Sequence, residues 1–162
     1  ETFSEQMERL GVVPSTKVIS FKVVPASSEV ANHLEIEEGS RVIYLSRHRF
    51  GDNEPVVTVD TYLPYEKCEF LMQHNFEKES LYDCMALQKD TTIFGARRTI
   101  EAVEANSDDA KSLGIKKGSP VQLIHTVGFS ASDVPLEYSI ARYRGDMSKF
   151  QITVYIHLEN NK

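Results

Sequence analysis

Residues 23–50, VVPASSEVANHLEIEEGSRVIYLSRHRF, align without a gap on residues 102–129, AVEANSDDAKSLGIKKGSPVQLIHTVGF, at a constant offset of 79. The identities are Val24/Val103, Ala26/Ala105, Ser28/Ser107, Ala31/Ala110, Leu34/Leu113, Ile36/Ile115, Gly39/Gly118, Ser40/Ser119, Val42/Val121 and Phe50/Phe129. After each copy comes a turn, a proline (Pro55, Pro135) and a further strand-like run. An internal repeat constrains a chain more than composition does, because both copies must adopt one local structure and share a core. The expected architecture is two strand–helix–strand–strand units in one predominantly antiparallel sheet with flanking short helices. That is an α+β domain, since strands outnumber helices and hairpins dominate.

The elements follow from local signals. TFSEQMERLG reads as a short helix, capped by Thr2 with Glu5 closing the box and Gly11 as the stop. STKVISFKVVP is a strand ended by Pro25, and SSEVANHLEI is a helix begun by Ser27 or Ser28. RVIYLSRHRFG and VVTVDTYLP are strands joined by a turn at Gly51-Asp52-Asn53. YEKCEFLMQ and SLYDCMALQK are expected to be helical, the second capped by Ser80 with Asp83 three residues on. TTIFGARRTIEAVEA is expected to be a long strand bent at Gly95. In FQITVYIHL, Phe150, Ile152, Val154 and Ile156 alternate as on a last amphipathic strand.

One strand face changes character part-way. With a side-chain period of two, Ile43, Leu45, Arg47 and Arg49 share a face, which starts apolar and ends in two guanidinium groups about 7 Å apart. The second copy carries Thr126 and Gly128 at those places, so the scaffold itself does not require arginines. Pairing with surface acids is one reading and a buried ion-pair network another. A third is a site for a small anion, which forked guanidinium groups suit well. Two helix starts favour the third: Ser4 lies in the first turn of the first helix, and Ser80, with Tyr82 beside it, caps a later one.

Other classes find little support. The chain has 162 residues, a net charge of −6 and 41% hydrophobic residues, which fits one globular domain and not a nucleic-acid-binding surface. No apolar run is long enough to cross a bilayer. The polar, acidic start is not a signal peptide, and without an initiator Met the chain reads as part of a longer protein. Cys68 and Cys84 make no disulfide framework, which favours a reducing cytoplasm. His33, His48, His74, His125 and His157 show no metal-ligand spacing, so neither metal nor cofactor is expected. No catalytic motif is present, so no catalytic residue is expected. Arg144-Gly145-Asp146 reads as a strand end and turn, and Lys116-Lys117 as a solvated loop.

The segments G-V-V-P-S-T-K-V, L-E-I-E-E-G-S-R-V, the R-H-R strand, P-V-V-T-V-D-T-Y-L-P, S-L-Y-D and L-E-Y-S-I-A-R-Y-R-G-D, in this order, resemble the UTRA domain over about residues 2–150. That is the effector-binding domain of the HutC subfamily of GntR transcription regulators. The resemblance implies a chorismate-lyase-like fold, a homodimer, and an N-terminal winged helix-turn-helix outside this chain that binds operator DNA. Members that sense phosphorylated sugars hold the phosphate with residues matching Arg47 and Arg49, Ser4 after Phe3, and Ser80 with Tyr82. Glu137 and Tyr143 fall on positions that contact the rest of the effector. Sugar-phosphate sensors often have a Glu where this chain has Val59. Here the acid is Asp60, one residue on, which belongs to the other face unless a bulge intervenes. Some phosphonate sensors carry an Asp at that place. The implied partner is thus a phosphorylated small molecule, most simply a sugar phosphate, with a phosphonate or carboxylate effector, or a lyase-like enzyme, as alternatives.

Overall fold

A computed structural model describes residues 3–159. Six strands form one antiparallel sheet, ordered β1-β2-β3-β6-β5-β4. They are β1 (Pro14–Pro25), β2 (Arg41–Gly51), β3 (Glu54–Pro64), β4 (Gly95–Glu104), β5 (Pro120–Phe129) and β6 (Pro135–Arg144). The two repeats are the two halves of this sheet. Their third strands, β3 and β6, pair at the centre, with Val59 opposite Ala141. The outer edges belong to β1 and β4.

Five short α-helices pack around the sheet: α1 (Phe3–Arg9), α2 (Ser28–Leu34), α3 (Tyr65–Cys68), α4 (Leu81–Met85) and α5 (Ser107–Leu113). The repeat helices α2 and α5 cover one face. Val30, Ala31 and Leu34 of α2 pack with Val42 and Tyr138. Asp109 of α5 takes two hydrogen bonds from Arg142, from Nε at 2.7 Å and Nη2 at 2.8 Å. The opposite face is covered at its two ends. Ile43, Leu45 and Leu63 lie under Leu71, Leu81 and Met85, while Phe3 and Met7 of α1 lie over Val57, Val59 and Ala141. Between these two clusters the same face carries the buried polar residues Arg47, Thr61, Glu137 and Ser139.

Several local expectations hold. Ser27, not Ser28, caps α2, its Oγ accepting from the Val30 amide. Ser80 caps α4 through the Asp83 amide. Asp52 and Asn53 both take positive φ, 48° and 65°, as a tight hairpin turn requires. Arg144 and Asp146 pair at 2.8 Å in the turn after β6. Thr2 lies outside the described residues.

Four segments differ. YEKCEFLMQ is α-helical only to Cys68 and continues as a 3-10 turn, Glu69–Gln73. The helix from Ser80 stops at Met85, followed by a 3-10 turn, Lys89–Thr91. β4 starts at Gly95, not Thr91, because the two threonines bond back into the preceding turn: Thr91 Oγ1 donates to the Met85 carbonyl and Thr92 Oγ1 to that of Gln88. FQITVYIHL is not a strand, and Ile152, Val154, Ile156 and Leu158 are exposed. Alternation supplies an apolar face, but a strand also needs a partner edge, and this segment pairs with none among the described residues.

Candidate functional site

Register fixes which side chains meet. Arg47 pairs with Val59, Arg49 with Val57, and Val57 with Tyr143 across the sheet. One rung away, Leu45, Thr61, Ser139, Thr126 and Arg98 form a continuous row over five strands. Glu137 pairs with Gly128. Partners in an antiparallel ladder share a face. Arg47, Arg49, Glu137, Tyr143 and Arg98 therefore lie on one side of the sheet, between the α1 cluster and the α3–α4 cluster.

This middle region is polar, with Arg47, Thr61, Thr126, Glu137 and Ser139 buried and Arg98 exposed. Glu137 is 4% exposed. One of its oxygens accepts from the Tyr82 hydroxyl and the other from Ser139 Oγ at 2.8 Å. Ser139 in turn lies 2.8 Å from Thr61 Oγ1. Burial pushes the Glu137 carboxyl above its ordinary value, against the hydrogen bonds and the charges of Arg47 and Arg98. Tyr82 is raised as well, by burial and by the carboxylate it donates to.

Arg47 is 8% exposed, and its Nε is a buried polar atom with no hydrogen-bond partner among the described residues. Burial lowers its pKa, with Glu137 the main opposing charge. Arg49 is brought down to about 10 by burial and by the charge of Arg47, so it stays cationic at neutral pH. Its guanidinium lies 4.2 Å over the Phe3 ring, and its Nε donates to Thr16 Oγ1 at 3.3 Å. Burial raises Tyr143, although Arg49, Arg98 and Arg47 all favour its anion. Arg47 and Arg98 thus act on Glu137, the one buried acid on this face among the described residues, and Arg49 joins them around Tyr143.

The fold gathers most of the expected residues. Arg47, Arg49, Tyr82, Glu137 and Tyr143 form the cluster. Ser4 and Ser80 are exposed at its margins, next in sequence to Phe3 and on the helix that carries Tyr82. Asp60 lies apart from the cluster. It pairs with Ser46 and Ile140 on the far face and accepts from the Tyr44 hydroxyl at 3.1 Å. Neither β2–β3 nor β3–β6 has a bulge there to turn it round. Arg98, Thr61, Ser139 and Thr126 are additions that single-strand reading missed. The repeat could have found Arg98, because register carries it to Thr126, the counterpart of Arg47. Two surface hollows, of about 190 and 500 Å³, are lined from α2 and the start of β6 and include none of these residues.

A fixed acceptor, hydroxyl donors and surplus guanidinium charge are groups chemically able to hold an anion that also carries hydroxyl or amide groups. The family model described as the UTRA domain matches residues 9–149. The chain belongs to the UTRA domain family. The HTH-type transcriptional regulator GmuR of Bacillus subtilis is 33% identical over 138 residues, which covers 85% of this chain and 57% of GmuR. The HTH-type transcriptional repressor NagR of the same organism is 27% identical over 149 residues, covering 92% of this chain and 61% of NagR. The crystal structure of the effector domain of PhnF from Mycobacterium smegmatis matches with a TM-score of 0.85 at 22% identity, over 96% of this chain and 95% of that one. This UTRA domain is an effector-binding domain of the GntR regulator family, with a chorismate-lyase-like fold. Its relatives are regulators, not enzymes.

Proposed function

We propose that this UTRA domain senses a phosphorylated small molecule, most simply a sugar phosphate, and thereby controls DNA binding by a full-length cytoplasmic regulator of the HutC type. The observation that carries the reading is the Arg47 guanidinium, buried with an unsatisfied Nε beside a second, half-buried arginine, Arg49. A buried cation without full pairing costs several kcal/mol and is retained where a ligand supplies the missing charge. A phosphate fits because it offers several acceptor oxygens to forked donors. Glu137, held by Tyr82 and Ser139, is then a rigid acceptor for hydroxyl or amide hydrogens elsewhere on the effector. Ser4 and Ser80 add donors at the margin.

The arginines are covered, so effector entry requires movement of the covering elements. Phe3 of α1 sits on Arg49 and Tyr82 of α4 on Glu137. In this reading a winged helix-turn-helix precedes α1 in the whole protein, and displacement of Phe3 transmits binding toward operator DNA. Coupling of this kind is worth about 1–3 kcal/mol. The same reading includes a homodimer. Residues 150–158 expose apolar side chains and β4 has a free edge, and strand addition across a two-fold would bury both.

Thermal unfolding against paired compounds tests the proposal. A phosphorylated member at a hundred times its Kd adds about 2.7 kcal/mol, a shift of several degrees, and its unphosphorylated counterpart adds none. Equal shifts for both members would remove the phosphate from the account.

A further inference from the structure

Between the 3-10 turn Glu69–Gln73 and α4, the chain folds into a tight loop that brings three metal-ligating side chains together. His74 Nδ1 lies 3.1 Å from Glu79 Oε1 and 3.5 Å from Cys84 Sγ, and the three donor atoms lie within 4.8 Å of one another. The loop is held by its own backbone. The amides of Lys78 and Glu79 donate to the Asn75 carbonyl at 3.1 and 2.9 Å, and the Asn75 amide donates to Glu79 Oε2 at 2.7 Å. Glu79 therefore has one oxygen tied down and the other aimed at the histidine. Cys84 is buried on α4, a helix fixed by its Ser80 cap.

Hydrogen bonding alone satisfies this trio poorly, because one ring nitrogen faces two partners. With its proton on Nδ1, the imidazole can donate to Glu79, but the thiol hydrogen cannot use that nitrogen. With the proton on Nε2, Nδ1 accepts from the thiol and sets its lone pair against a carboxylate oxygen. A cation at the centre uses all three lone pairs at once. Zinc bonds of about 2.0–2.1 Å to nitrogen and oxygen and about 2.3 Å to sulfur give tetrahedral edges of about 3.3 Å for N···O and about 3.6 Å for N···S. The two His74 separations need only a slight expansion, and the third edge, from Glu79 to Cys84, lies within 4.8 Å. Imidazole, thiolate and carboxylate suit zinc or cobalt and not magnesium or calcium.

We propose that His74, Glu79 and Cys84 form a three-ligand zinc-type site, with a fourth position open to solvent beside the half-exposed Glu79. The sequence spacing, H-x4-E-x4-C, matches no familiar pattern, and the expectation of no metal followed from that. Ser80, Leu81 and Tyr82 lie between two of the ligands, so metal loading fixes the helix whose Tyr82 hydroxyl is bonded to Glu137.

Titration of the reduced, metal-free chain with Co²⁺ tests the site. The expected result is a one-equivalent rise of thiolate-to-cobalt charge-transfer absorption, reversed by Zn²⁺ and unaffected by Mg²⁺. Cys84→Ser removes the band, whereas Cys68→Ser, at a cysteine that is not one of the three ligands, leaves it. His74→Gln and Glu79→Gln weaken cobalt binding by more than the roughly 10–100-fold that a supporting residue costs. No band at millimolar cobalt, or a band that persists in Cys84→Ser, overturns the proposal. Should Cys84→Ser fail to fold, unchanged cobalt affinity in His74→Gln overturns it equally.

Discussion

A Cβ placed on Gly128 would stand 2.8 Å from Oε1 of Glu137 and 3.1 Å from Ile93 Cδ1. Gly128 is the repeat counterpart of Arg49. One half of the sheet carries a guanidinium at this place, and the other half omits a side chain so that its neighbouring strand can bury a carboxylate. The asymmetry between the repeats is therefore two-sided, and the Arg49 and Gly128 positions belong to one device.

Gly128→Ala is expected to push the Glu137 carboxylate off its Tyr82 and Ser139 partners and to destabilise the domain by about 1–3 kcal/mol. In a Glu137→Ala background the same change should cost much less, because the clash is gone. A double-mutant cycle by chemical denaturation reads the difference. Additive effects would mean that Gly128 answers to Ile93 or to the backbone instead.

Glu137 and Asp109 are expected to give opposite pH dependences. Burial raises the folded pKa of Glu137, so its contribution to stability is complete below the unfolded carboxyl value, about 4.3, and is lost as pH rises through the folded value. Glu137→Gln should therefore gain on the wild type as pH rises above about 4.3. Burial also acts to raise Asp109, but the hydrogen bonds from Arg142 and the Asn106 amide and the charge of Arg142 outweigh it and hold the carboxyl low. Its contribution is complete above the unfolded value, about 3.9, and is lost as pH falls through the folded one. Asp109→Asn should cost about 2–3 kcal/mol at neutral pH and progressively less in acid. Melting curves of both variants that run parallel to the wild type across pH would contradict this.

Removal of residues 150–158 is expected to leave the sheet folded, because β1 to β6 pair without them, and to convert a dimer to a monomer. Sedimentation of the full and shortened chains measures this. A shortened chain that still sediments as a dimer would place the interface elsewhere.

The sheet was legible because the repeat names equivalent strands and alternation names their faces. Arg47 and Arg49 stood out against Thr126 and Gly128 for the same reason. What escaped depends on contacts between distant segments. The early stop of α4 and the late start of β4 follow from Thr91 and Thr92 bonding back to Met85 and Gln88, which propensity does not encode. Residues 150–158 alternate as a strand does, yet nothing in their own sequence says that both free edges lie elsewhere in the fold. Arg98 sits in an ordinary-looking strand and gains meaning only through its register with Thr126. Asp60 shows the converse, since strict alternation already assigned it to the far face and no bulge reversed it.

Arg47→Met is the most direct test of the central claim, because the account assigns it different effects with and without effector. Replacing a buried, incompletely paired cation by an apolar side chain of similar length should leave the free domain about as stable as before, because relief of the unpaired Nε offsets the opposing charge that Glu137 loses. The same change should weaken binding of the phosphorylated compound identified by thermal unfolding by about two orders of magnitude or more, since each lost charged hydrogen bond is worth about 1.5–3 kcal/mol. Isothermal titration of wild type and variant decides. A folded variant with greatly reduced affinity is the predicted result. Unchanged affinity in a folded variant would contradict it and leave Arg47 as part of the scaffold.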